Sequence, residues 1–221
     1  MTDDAWFGVT PESIANKIAQ HVAIAKPADK SVVIDIMCGV GGNSIALAKS
    51  GVWKRVYAIE KDPATLACAI HNAEIYGVRD KITFFQGDCF EILGLDGNKE
   101  NAVGAVPEVI RRFGVIFASP PWGGKLLIWL RMLRANCRSG PSYKDDHVFD
   151  LEAMQPYGLG YMYEKLSSIT PNMVLYLPRT SDMVQIGACV PDEQKAQIVH
   201  YLTRGASRAL CAYLGTWSDI S

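Results

Sequence analysis

The 221-residue chain has six cysteines, at 38, 68, 89, 137, 189 and 211, and no two of them form a C-x-x-C pair. That spacing excludes the common zinc motifs, suggests no disulfide framework, and suits reduced thiols inside a cell. No metal site is expected. The net charge is only −1, so no broad cationic surface is available to grip a duplex. Any nucleic-acid contact must therefore be local, to a base or a short run of phosphates. No apolar run reaches the ~18 residues that a bilayer span needs. The opening Met1-Thr2-Asp3-Asp4 is acidic and leads into no apolar run, which argues against a signal peptide. Internal repeats and low-complexity tracts are absent as well. What remains, 49% apolar and 20% charged residues, is the composition of a globular chain with one sizeable core.

The most informative stretch is Phe117-Ala118-Ser119-Pro120-Pro121-Trp122-Gly123-Gly124. Val115, Ile116 and Phe117 favour a buried strand. Two prolines then stop any regular element and bias Ser119 towards an extended backbone. Trp122 offers a flat ring, and the two glycines let the chain turn away without crowding it. A proline-glycine turn with a core tryptophan would explain this string in isolation. The chain upstream points elsewhere.

Thr10-Pro11 reads as an N-cap and first-turn pair, and Ile14, Ile18 and Val22 then recur at helical spacing. Trp6 and Phe7 precede the cap, where they either staple the helix to the body or line a ligand site. Ser31 to Met37 is an apolar strand with Asp35 near its end. Cys38-Gly39-Val40-Gly41-Gly42-Asn43-Ser44 and a helix from Ile45 to Lys49 follow. Strand, glycine turn and helix make the first unit of a Rossmann-like fold, in which backbone and free helix N–H groups can approach a ligand. The second strand, Arg55 to Glu60, ends in a carboxylate. An acid there can accept both hydroxyls of a ribose, the alternative being a solvated strand-end acid. Asp62-Pro63 caps the next helix, whose apolar stripe ends near Tyr76-Gly77. Within it Asn72 reads as support for the site and His71 as ordinary surface. A third strand, Lys81 to Gln86, leads to Gly87-Asp88-Cys89, where Asp88 could take the amino group of an adenine and Cys89 is buried and inert. Gly94 to Val106 reads as a flexible excursion and Pro107 to Phe113 as a short helix. Asn172 to Leu177 is a fifth strand closed by Pro178-Arg179. Arg179 makes either a phosphate contact or a surface ion pair. Gln197 to Leu202 and Arg208 to Leu214 form a closing antiparallel pair with Gly205 in the turn.

Asp35, the glycine turn, Glu60, Asp88 and Ser119-Pro120-Pro121-Trp122 fall at successive strand ends, an order that resembles class I S-adenosylmethionine (SAM)-dependent methyltransferases. Five strings narrow this further. They are Trp-Phe-Gly-Val-Thr-Pro-Glu, Val-Val-Ile-Asp-Ile-Met-Cys-Gly-Val-Gly-Gly-Asn, Asn-Ala-Glu-Ile-Tyr-Gly-Val, Ser-Pro-Pro-Trp-Gly-Gly and Tyr-Leu-Pro-Arg. Together they resemble the trimethylguanosine synthase family, which methylates N2 of the 7-methylguanosine cap of RNA.

The resemblance covers most of residues 6–215. It implies an α/β, Rossmann-like fold with a mostly parallel central sheet, an antiparallel C-terminal strand pair and helices on both faces. A helical segment, 1–28, would pack on the site of a methyltransferase domain, 29–221. SAM would be held by Thr10, Asp35, Cys38, Gly39, Gly41, Asn43, Glu60, Asn72 and Asp88. Trp122 would stack on the cationic 7-methylguanine. Ser119 and the Pro120 carbonyl would accept from its N2 amine, and Tyr143 and Arg179 would complete the substrate site. The implied partner is capped RNA of the small nuclear and nucleolar kind, with no membrane. The implied enzyme is a monomer in the nucleus, with the cytoplasm as a second location.

The chain departs from the family twice. The family runs from Ser-Pro-Pro-Trp-Gly-Gly directly into Pro-x-Tyr, whereas here Lys125 to Gly140 intervenes before Pro141-Ser142-Tyr143. The insertion is apolar with Arg131, Arg134 and Arg138 interspersed. It is either a basic lid helix over the RNA or an intron translated in frame, because Gly124-Lys125 and Ser139-Gly140 can encode splice signals. The family also has more chain upstream of Trp6 that helps to form the cap pocket, so the start is truncated or cap recognition is thinner. The rival activities are methylation of adenine N6 or of a glutamine amide, and cap binding without turnover. A nucleotide dehydrogenase is weaker, since Ser44 stands where the dinucleotide fingerprint wants Gly or Ala.

Overall fold

The computed structural model describes residues 9–97, 103–122, 148–192, 194–203 and 206–220. Trp6, Phe7, the insertion at 125–140, Tyr143 and Gly205 lie outside the described residues. The elements in order are α1 (Glu12–Ala25), β1 (Val32–Asp35), α2 (Gly42–Lys49), β2 (Arg55–Glu60), α3 (Pro63–Ile75) and β3 (Ile82–Gln86). Next come α4 (Cys89–Ile92), α5 (Val106–Phe113), β4 (Gly114–Ala118), α6 (Leu159–Ser167), β5 (Met173–Pro178), α7 (Met183–Ala188), β6 (Gln197–Thr203) and β7 (Ala206–Leu214).

Among the described residues the strands form one seven-stranded sheet in the order β3-β2-β1-β4-β5-β7-β6. The first five run parallel, and β7 lies antiparallel between β5 and β6. This is the mostly parallel sheet with a closing antiparallel pair that the sequence implies. Alternation along the strands sends side chains to opposite faces. Val33, Phe117 and Val174 pack on one face with Ile14, Ile18 and Val22 of α1, Leu47 of α2 and Ala69 and Ala73 of α3. Their neighbours Ile34, Ile116 and Leu175 pack on the other, with Phe90, Ile110 of α5, Met162 of α6 and Ile186 of α7. Helices therefore cover both faces, as buried parallel strands require.

The sheet order supplies what the sequence could not. The chain winds outward from β1 to β3, then crosses back to place β4 on the other side of β1. Ligands of such sheets bind in the crevice at this reversal, beyond the carboxyl ends of the strands. Asp35 and Phe117 are register partners across it. The turn after β1 and the Ser119-Pro120-Pro121-Trp122 turn after β4 thus leave the sheet side by side.

Most elements match their sequence expectation to within a few residues, and the Asp62 carboxylate caps α3 by accepting from the Thr65 N–H at 2.7 Å. The start of α1 differs. Its N-cap is Pro11, and no side chain caps it. The Thr10 hydroxyl expected there is buried and accepts from Asn43 Nδ2 at 3.0 Å instead. A tertiary partner has won over the local one.

Candidate active site

The turn after β1 is bound from three sides. The Glu60 carboxylate at the end of β2 accepts from the Gly39 N–H at 3.0 Å and from the Asp62 N–H at 2.9 Å. The Cys38 N–H donates to the Ile59 carbonyl at 2.9 Å. Asn72 in α3 donates from Nδ2 to the Val40 carbonyl at 2.9 Å, so it supports the turn through its backbone. The Cys38 thiol is buried beside Gly39, and burial pushes it well above the ordinary thiol range. It is a neutral packing group here, with no thiolate chemistry to offer.

Two glycines serve the turn differently. Gly39 has φ +54°, and a Cβ there would project into open space. Gly41 has φ +88°, and a Cβ there would meet Ala69 of α3 at 3.2 Å. The first leaves room in front of the turn, and the second lets the turn lie against a helix. Gly41→Ala is expected to cost about 1–3 kcal/mol from left-handed strain and contact with Ala69. Urea unfolding measures the loss, and a stability within about 0.5 kcal/mol of wild type would contradict it.

Asp35 is completely buried. Its Oδ2 accepts from the Ser44 hydroxyl at 2.6 Å, while Oδ1 has no partner. Asn43, also buried, gives Nδ2 to Thr10 and is left with an unpartnered Oδ1. Two buried acceptors therefore flank the glycine turn without donors, an arrangement that costs free energy until a donor arrives. Burial, opposed by the Ser44 hydrogen bond, pushes the Asp35 carboxyl up to about 7. The folded chain thus keeps a proton that the unfolded chain releases near pH 4, so Asp35's contribution to stability is greatest in acid. It falls as pH rises through the interval up to about 7 and is constant above it. The slope is at most ~1.4 kcal/mol per pH unit. Asp35→Asn is expected to remove this contribution to the slope in urea unfolding between about pH 4 and pH 7. An unchanged slope would place the titration elsewhere.

Further along the rim, Asp88 lies just past β3. Its Oδ1 caps α4 by accepting from the Phe90 N–H at 2.9 Å. Its Oδ2 accepts from the Tyr157 hydroxyl at 2.9 Å and pairs with Lys61 at 3.3 Å. Tyr157 and Tyr161 stack at 5.4 Å, and Phe90 meets both edge-on. Cys89 is buried as expected, its thiol pushed up to about 12. Sequence reasoning missed Tyr157 because no local pattern links it to a carboxylate so far upstream.

Across the switch point Ser119 is half-buried, Pro120 buried and Pro121 exposed. The Trp122 indole donates from Nε1 to the Tyr176 carbonyl of β5 at 3.2 Å, and its ring lies 5.3 Å from the Tyr176 ring at 39°. The tryptophan is therefore fixed in orientation and packed against the core while remaining partly exposed. Arg179, just beyond β5, donates from Nη1 to the Ser207 carbonyl at 3.4 Å. Of the cofactor and substrate residues that the family resemblance implies, all but Tyr143 are described, and they lie on, or hold, turns at the carboxyl edge of the sheet.

SAM carries a cationic amino group and two ribose hydroxyls, all donors. The unpartnered acceptors of Asp35 and Asn43, the Glu60 carboxylate and the open space before Gly39 fit those groups.

Comparison with known proteins agrees. A family model described as RNA cap guanine-N2 methyltransferase matches residues 30–127 and 135–217. Trimethylguanosine synthase of Schizosaccharomyces pombe is 32% identical over 95% of this chain and 75% of its own length. The Saccharomyces cerevisiae trimethylguanosine synthase is 31% identical over 84% of this chain and 50% of its own length. An rRNA methylase from Streptococcus thermophilus shares the fold, with a TM-score of 0.51 at 14% identity over 94% of this chain and 98% of that one. The hMettl16 catalytic domain does too, with a TM-score of 0.56 at 14% identity over 97% of this chain and 75% of that one. The chain belongs to the RNA cap guanine-N2 methyltransferase family, and its activity is SAM-dependent methylation of the cap guanine at N2.

Proposed function

We propose that the reaction takes place between the two turns that flank the switch point, with the cofactor beyond β1 and the 7-methylguanosine cap beyond β4. The observation that carries this reading is the register of Asp35 with Phe117, which sets the two turns next to each other. Asp35, Gly39, Asn43 and Glu60 hold SAM, with Thr10, Cys38, Gly41 and Asn72 shaping the turn behind it. Asp88 faces the adenine. Bound SAM supplies an electrophilic methyl group on a cationic sulfur. Trp122 stacks on the 7-methylguanine, whose positive charge is attracted to an aromatic face. The Ser119 hydroxyl and the Pro120 carbonyl accept from the N2 hydrogens.

The guanine amine is a poor nucleophile because its lone pair is delocalised into the ring. Acceptors on its hydrogens pyramidalise the nitrogen and aim the lone pair away from the ring plane. Catalysis is then positioning plus local electrostatics, and no strong base is required. Arg179 and Tyr143 meet the cap phosphates and the cap. The RNAs served are small nuclear and nucleolar RNAs, and the enzyme acts as a monomer in the nucleus. Family resemblance supports these last three points.

The test offers labelled SAM with three acceptors: a 7-methylguanosine-capped RNA, the same RNA uncapped, and a protein substrate of glutamine methyltransferases. Label only in the capped RNA is the expected result. Label in uncapped RNA or in protein would overturn the reading in favour of another amino-methyltransferase.

A further inference from the structure

Tyr157 belongs to none of the strings that mark the site, yet its hydroxyl ends on the acid after β3. It stands two residues before α6, in the stretch of chain that crosses from β4 to β5, whereas Asp88 follows β3 with two strands between β3 and β4. The phenol donates to Asp88 Oδ2 at 2.9 Å. Burial, and then the hydrogen bond to Asp88, push the phenol above its ordinary range, so it keeps its proton and stays a donor at neutral pH. The ring is held in turn. It stacks on Tyr161 at 5.4 Å and 16°, and the Phe90 edge meets it at 4.6 Å and 88°. Phe90 is buried and also gives its N–H to Asp88 Oδ1 at 2.9 Å. One aromatic residue therefore anchors both the acid and the tyrosine bound to it.

We propose that Tyr157 is a positioning residue that fixes the plane of the Asp88 carboxylate, and so sets the preference of the cofactor site for a purine bearing a 6-amino group. This rests on the reading of Asp88 as the acceptor for the adenine amino group. The case is one of acceptor arithmetic and of torsion. A carboxylate has about four lone-pair positions. Among the described residues, Phe90 takes one on Oδ1, while Tyr157 and Lys61 take two on Oδ2. The position left is on Oδ1, so an incoming amino group must meet that oxygen. The terminal torsion of an aspartate is intrinsically broad, and one hydrogen bond on Oδ1 leaves the plane free to turn about it. Only a second bond, on Oδ2, aims the remaining lone pair. Lys61 is ill suited to this, at 3.3 Å and on a side chain that is 77% exposed. Asp88 itself is 9% exposed, so water has little access to replace a lost partner.

Tyr157→Phe keeps the stacked ring and deletes only the hydroxyl. The experiment titrates S-adenosylhomocysteine and its 6-deamino analogue, in which the purine carries hydrogen in place of the amino group, into wild type and variants. Wild type is expected to prefer the amino form by about tenfold or more, because the analogue leaves an acceptor unpaired. In Tyr157→Phe the ratio of the two Kd values is expected to fall at least about threefold, the loss falling on the amino form. An unchanged ratio overturns the proposal. So does an equal weakening of both ligands with a lowered melting temperature, which is the signature of a merely structural tyrosine. Asp88→Ser separates this from the underlying reading, since serine still caps α4 but withdraws the acceptor. Loss of the preference in Asp88→Ser alone sinks the role of Tyr157 and leaves Asp88 facing the adenine. A preference that survives Asp88→Ser, or is missing from wild type, overturns that reading and the proposal with it.

Discussion

Trp122→Ala is expected to reduce cap methylation about 1000-fold, to background, while S-adenosylhomocysteine binds within about twofold of wild type. Two effects combine in that number. Stacking of a base on an aromatic ring contributes about 1–3 kcal/mol, and the positive charge of 7-methylguanine adds to it. The remainder comes from lost alignment, because among the described residues of the turn, Ser119 to Trp122, only the indole presents a flat face to the base. The indole is well suited to the task. Its N–H is satisfied by the Tyr176 carbonyl and its ring is packed against the core, so little freedom is lost when a cap arrives. Because Trp122 also packs, the melting temperature must be followed alongside. Trp122→Phe supplies the control, keeping a stacking face while losing the indole hydrogen bond, and it should retain partial activity. Equal loss of cap methylation and cofactor binding in Trp122→Ala would make the residue structural.

Glu60→Gln is expected to do the converse, weakening S-adenosylhomocysteine binding by about 10–100-fold while leaving cap binding unchanged. The carboxylate already accepts two backbone N–H groups, from Gly39 and Asp62, and still has lone pairs for a ribose. Glutamine offers a single acceptor oxygen and adds two hydrogens that face backbone donors. It therefore disturbs the turn as well as the ligand. Isothermal titration with S-adenosylhomocysteine, and separately with a 7-methylguanosine cap analogue, distinguishes the two sites. Cofactor affinity that survives the change would return Glu60 to the alternative of a strand-end acid.

The opposite signatures expected of these two variants reflect how the site is divided along the sheet, and much of that division is legible in the sequence. The glycine turn, the acids at 35, 60 and 88 and the Pro-Pro-Trp string each carry a local signal, because a strand followed by a special turn is written in consecutive residues. Strand order is not written that way. Only the fold reveals that β4 lies beside β1, and hence that the two halves of the site are neighbours. The same limit hides Tyr157, whose partner Asp88 is far away in the chain, and it hides what Tyr176 of the Tyr-Leu-Pro-Arg string does, because its contact is with Trp122, 54 residues away. Thr10 shows the error in the other direction. A threonine before proline at a helix start is a sound local cap, but its hydroxyl has a buried amide to bind, and that partner sits 33 residues away. Asp35 is intermediate. Its position at a strand end is plain from sequence, whereas its complete burial and its unpartnered oxygen are properties of the packed turn.

The measurement that bears most directly on the central claim is mass spectrometry of the cap released by nuclease after turnover on a 7-methylguanosine-capped RNA. A cap guanosine gaining one or two methyl groups, with fragmentation that places them on N2, is the predicted result. Methylation at adenine N6 or at any site outside the cap guanine would contradict it, as would an unaltered cap from an enzyme that still binds S-adenosylhomocysteine.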